Sequence, residues 1–125
     1  MNDSSILSTI KSLLGTPTEY TKFDNEIVVH INSVLMTLAQ LGVGPAKPFQ
    51  ITGSEETWVD YLGDDVDKYA GIKSYIYFKV KLMWDAPQSA ALIESMNKTI
   101  NEFEWRLNVQ AETPEDDVTL SDTSL

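Results

Sequence analysis

The chain has 125 residues, enough for one domain with one modest core. Hydrophobic residues make up 42% of it and charged residues 22%, an ordinary globular composition, while nineteen acids against nine bases leave a formal charge of −10. That balance argues against a surface made for duplex DNA or anionic lipid, which clustered Lys and Arg would hold, and the absence of cysteine excludes disulfides, thiolate metal sites and cysteine nucleophiles.

The first residues, Met-Asn-Asp-Ser-Ser, lack the basic and apolar regions of a signal peptide, and no run approaches 18 apolar residues. The expectation is a protein with no membrane contact, made in the cytoplasm of its host. Ser4 or Ser5 is placed to cap a first helix carrying Ile6, Leu7, Ile10, Leu13 and Leu14, stopped by Gly15 and Pro17. Asp24 is placed to cap a second, where Ile27, Ile31, Val34, Leu38 and Leu41 recur at alternating intervals of four and three, with Val28 and Leu35 widening the stripe.

Gly42, Gly44 and Pro45 end that helix. A long connection follows, with Pro48 and Gly53 around Phe49 and Ile51 and room for one short strand. Thr57 to Leu62 reads as a helical turn closed by Gly63 and the acids Asp64, Asp65 and Asp67. A third long helix is predicted from about Val66 to Met83, apolar nearly all round (Tyr69, Ile72, Ile76, Val80 and Met83 on one stripe), which suits a helix covered on several sides. The β-branched and aromatic stretch from Tyr75 to Val80 also permits a strand.

Asp85-Ala86-Pro87 breaks the chain before a last helix from about Gln88 to Val109. There Ile93, Met96, Ile100, Phe103 and Leu107 form a heptad-like seam, Glu94–Lys98 and Glu102–Arg106 stand as i,i+4 pairs, and Asn97, Asn101 and Glu104 face water. From Glu112 to Leu125 there are five acids and no base, so half of the net charge sits in the last fourteen residues. Such a segment cannot bury enough apolar surface to order itself when free. The fold class expected is all-α, a small bundle of about four to five helices. Residues 1–111 form the helical domain, and residues 112–125 an extended acidic tail held by a partner.

Chemistry is sparse. His30, the one histidine, lies inside the apolar pattern of the second helix and reads as a partly buried structural residue. Asp60, Asp64, Asp65 and Asp67 do not match a calcium loop, since Val66 and Ile72 stand where Gly and Glu are required. No phosphate-binding glycine motif occurs. No catalytic, cofactor-binding or metal-binding residue is expected, and an enzyme is not expected. Two features point instead to contacts with other proteins. Trp105 lies off the seam, either exposed for a partner or folded back on a neighbouring helix, and large exposed aromatics are common in interfaces. Val118 and Leu120 alternate with polar residues, so the tail either adds as a strand to a partner's edge or serves only as a solubilising end.

Three segments, HINSVLMTLAQLGVGP (30–45), YIYFKVKLMWDAP (75–87) and MNKTINEFEWRL (96–107), resemble the head-to-tail connector, or adaptor, proteins of tailed bacteriophages. The similarity extends over roughly residues 5 to 110 and leaves out the tail. The resemblance implies a helical subunit of the virion neck that assembles into a ring, usually a dodecamer, under the portal protein. It implies that the ring extends the channel through which genomic DNA passes without sequence-specific binding, and that it seats a stopper or tail protein. The family's C-terminal segment docks on the portal, a role that falls here to Val118, Thr119 and Leu120 by position and pattern only. Trp105, Arg106, Lys79 and Lys81 are the expected subunit-interface residues, the lysines through salt bridges between subunits. The alternative is an acidic helical inhibitor or regulator that masks a basic protein surface, in the manner of a DNA mimic or antitoxin.

Overall fold

The structure is a computed structural model and describes residues 5–69 and 71–112. Helix α1 spans Ile6–Leu14, with the Ser5 hydroxyl accepting from the Ser8 amide at 3.2 Å and Gly15 as its C-cap. Ile6, Leu7 and Ile10 are fully buried, and so is Lys11. A lysine tolerates burial only when its charge and donors are matched. Its Nζ donates to the carbonyls of Thr18 at 3.0 Å and Tyr20 at 2.8 Å, and lies 2.7 Å from an Asp24 carboxylate oxygen.

That contact corrects the capping expected of Asp24. Helix α2 spans Asp24–Gln40, so Asp24 is its first residue, and the cap position is Phe23, with no side-chain cap bond. The carboxylate has turned to Lys11 instead, which fastens the loop after α1 to the start of α2. Ile27, Ile31, Val34, Leu35 and Leu38 face the core as their spacing requires.

The long connection contains no strand among the described residues. It is held by side chains. Asn32 on α2 pairs with Ile51 as a neighbouring backbone would, Oδ1 accepting from its amide at 2.7 Å and Nδ2 donating to its carbonyl at 3.0 Å. The Glu56 carboxylate accepts from the amide and hydroxyl of Thr52 at 3.0 and 2.7 Å, and the Glu56 carbonyl accepts from the Ile6 amide. Helix α3 spans Trp58–Leu62 behind a capping box in which Thr57 and Asp60 each accept from the other's amide at 3.0 Å. A 3-10 turn, Gly63–Asp67, follows.

Helix α4 spans Ile72–Trp84, starting six residues later than the apolar pattern suggested. Gly71 is the reason. Its φ is +87°, outside the helical region, and a Cβ there would lie 2.8 Å from the Phe103 ring. The strand alternative for Tyr75 to Val80 is overturned, since the whole stretch is helical. Helix α4 packs against α1, α2 and α5, and Tyr75, Ile76 and Val80 are fully buried.

Helix α5 spans Ala90–Glu112, which at 1.5 Å per residue is about 35 Å. Its seam buries Met96, Ile100 and Leu107, while Ile93 and Phe103 are half-covered. Glu104 does not face water freely as expected: it is half-buried and receives the Tyr75 hydroxyl at 2.8 Å. Neither Glu94–Lys98 nor Glu102–Arg106 closes; the ion pairs among the described residues are Lys11–Asp24, Lys79–Glu104 and Lys81–Asp85. At its far end, Asn108 donates to the Leu41 carbonyl at 3.0 Å and Ala111 approaches Gly42, so α5 and α2 end side by side.

Candidate functional site

The outer face of α5 carries Lys98, Asn101, Glu102, Trp105 and Arg106, spaced so that all fall within one side of the helix. Together they line a shallow, open depression. Trp105 is 69% exposed, the largest fraction among the big apolar side chains of the described residues, and Val109 stands exposed one turn beyond it. This decides between the two sequence readings of Trp105, which does not fold back into the molecule. Trp58, by contrast, is buried, its indole N–H donating to Thr9 at 3.0 Å.

Around the indole the electrostatics differ from those of the whole chain. Lys98 and Arg106 flank it with only Glu102 between them, and neither base has an ion-pair partner among the described residues. In a protein of charge −10, this is a local basic rim around an apolar centre.

The other expected interface residues are already engaged within the chain. Lys79 lies 3.9 Å from Glu104, and Lys81 pairs with Asp85 at 3.1 Å along α4. The structure brings Trp105 and Arg106 together on one face, with Lys79 joined to it only through Glu104. Val118, Thr119 and Leu120 lie outside the described residues.

A second apolar surface was missed in the sequence. Val29 and Met36 are 65% and 50% exposed on α2, with exposed Ser33 between them. Their i,i+7 spacing, off the core stripe, was the signal for it. His30 is half-buried, and among the described residues no group of three or more His, Asp or Glu side chains is placed to hold a metal ion. No helix there is long and apolar enough to cross a membrane.

The described residues thus leave large apolar side chains exposed on both α2 and α5, as surfaces that bind other proteins do. The chain belongs to the family described as phage connector protein, whose model matches residues 6–114. It is a structural component of a bacteriophage virion that associates with other head or tail proteins. No curated protein and no solved structure matches it. The family match leaves the regulator alternative without support.

Proposed function

We propose that copies of this chain close into a ring, a dodecamer, beneath the portal protein, extending the DNA channel and joining head to tail through a stopper or tail protein. The observation that carries this reading is the exposure of Trp105 on α5 while a separate stripe, Val29 and Met36, is exposed on α2. A closed ring with head-to-tail contacts needs two different faces on each subunit, one for each neighbour. Covering a tryptophan removes on the order of 150 Å² from water, worth about 3 kcal/mol for each subunit joined.

In this ring Trp105 and Arg106 belong to the subunit interface. Lys79 and Lys81 join it by exchanging their present acidic partners for those of a neighbour. Residues 1–111 act as the ring-forming domain, and the acidic tail, 112–125, docks on the portal through Val118, Thr119 and Leu120. The channel wall passes genomic DNA without base-specific contact, as suits a chain of net charge −10 that repels phosphates. Electron microscopy of the purified chain mixed with its portal protein tests the reading. Rings seated on the portal are expected; portals left bare at saturating protein would overturn it.

A further inference from the structure

We infer that the two exposed apolar stripes are partners of each other. The Trp105 face of α5 on one copy seats on the Val29–Met36 face of α2 on the next, with the two helices running the same way. The inference rests on the ring reading for its second copy, and adds which face meets which and in what register.

Charge sets the register. Lys22 stands just before α2, Glu26 four residues on and Ser33 seven beyond that. On α5, Glu94, Lys98 and Trp105 repeat the same spacing with the charges inverted. All six are exposed, and none of the four charged ones has an ion-pair partner among the described residues. Both helices rise by 1.5 Å per residue, so a parallel pair with Trp105 opposite Ser33 sets Lys98 level with Glu26 and Glu94 level with Lys22. An antiparallel pair centred on the same contact sets Glu26 against Glu112 and leaves Lys98 facing Gln40. That exchanges two attractions for a repulsion.

Shape agrees with the charges. Val29, Asn32, Ser33 and Met36 stand at i, i+3, i+4 and i+7 on α2, the four corners of a hole that takes one large side chain from a facing helix. Asn32 is tied to Ile51 and holds its corner, while Ser33 leaves a low point between exposed Val29 and Met36. The indole of Trp105 is the bulky group that α5 presents at that height.

Direction agrees as well. Within one copy α2 and α5 finish side by side, where Asn108 donates to the Leu41 carbonyl, so both run toward the same end of the bundle. Rotation about a ring axis lying along the bundle preserves that direction, and the contact between α5 of one copy and α2 of the next is then parallel. Both stripes stay exposed in the single copy, so a copy does not satisfy itself.

The chain has no cysteine, so two single-cysteine versions of the full-length protein report the contact. Ser33→Cys and Asn101→Cys, both at exposed positions outside the charge pairs, are mixed in equal amounts with the portal protein and treated with a short bismaleimide. Links between 33 and 101 should outnumber 33–33 and 101–101 links by at least about tenfold, because a head-to-tail contact joins unlike faces. Adding Glu26→Lys to the first chain, or Lys98→Glu to the second, should each cut the 33–101 yield about fivefold, and the two together should restore it. A majority of 33–33 or 101–101 links, no links at all, or reversals that fail to compensate would overturn the inference. Rings on the portal without 33–101 links would remove this pairing and leave the ring standing. Linked 33–101 chains without rings would uphold the pairing and remove the ring.

Discussion

The Tyr75 hydroxyl donates to the Glu104 carboxylate at 2.8 Å, joining the fully buried centre of α4 to the outer helix α5. Tyr75→Phe removes the donor and leaves a half-buried carboxylate short of a partner, at a cost of about 1–2 kcal/mol read from the urea midpoint. Burial first, and then the bond to Glu104, push the Tyr75 phenol above its ordinary value near 10, so the unfolded chain releases that proton before the folded one does. Its stabilising effect is whole below about pH 10 and shrinks as pH climbs beyond it. Buried Tyr61 acts in the same sense. Base titration followed by circular dichroism should show alkaline unfolding, with a gentler slope in Tyr75→Phe.

Gly71→Ala should be among the costliest small substitutions in the chain. The residue must hold φ at +87°, and the added methyl group meets the Phe103 ring at 2.8 Å. Backbone strain and displacement of the ring together should cost about 2–4 kcal/mol in chemical denaturation.

Lys11→Met would fill the same space while leaving Asp24 and the carbonyls of Thr18 and Tyr20 without their donor. Losing one partner of a buried pair should cost about 3 kcal/mol, visible as a lower thermal midpoint. Asp24→Asn should cost less, because its side chain is a quarter exposed and Lys11 keeps both carbonyls.

Trp105→Ser separates folding from assembly. The side chain is 69% exposed, so stability should stay within about 0.5 kcal/mol of the parent, while rings on the portal disappear from electron micrographs. Charge reversal at Lys79 or Lys81 should also alter ring formation. Rings unchanged by these reversals would remove the two lysines from the interface.

Deleting residues 112–125 should abolish attachment to the portal in a pull-down with purified proteins. Unchanged attachment would show the tail to be a bystander there.

Helices α1, α2, α3 and α5 were legible because their signals are local: an apolar stripe in the longer helices, or a glycine or proline break beside the helix, lies within one short window. The start of α4 was not, since it is decided by Gly71 against Phe103, thirty-two residues away in the chain. Asp24 looked like a cap because its neighbours suit one, but Lys11 from the preceding helix had a stronger claim on its charge. Asn32 sits in the middle of an apolar pattern, and nothing nearby announces its bonds to Ile51. Of the exposed apolar side chains, Trp105 could be singled out because it lies off the seam of α5. Its exposure depended on where α4 lay. Val29 and Met36 escaped notice because a helix rich in apolar residues does not reveal which of them its neighbours leave uncovered.

The two clamps on the long connection bear on how the molecule loosens. Between Val43 and Thr57 the chain owns no ladder, and Asn32 and Glu56 hold it at single points. Segments latched in this way tend to open together, ahead of the surrounding framework. Native-state hydrogen exchange should find the amides of Ile51 and Thr52 released in one event, and Asn32→Ala should free them while the α2–α4 interior keeps its protection.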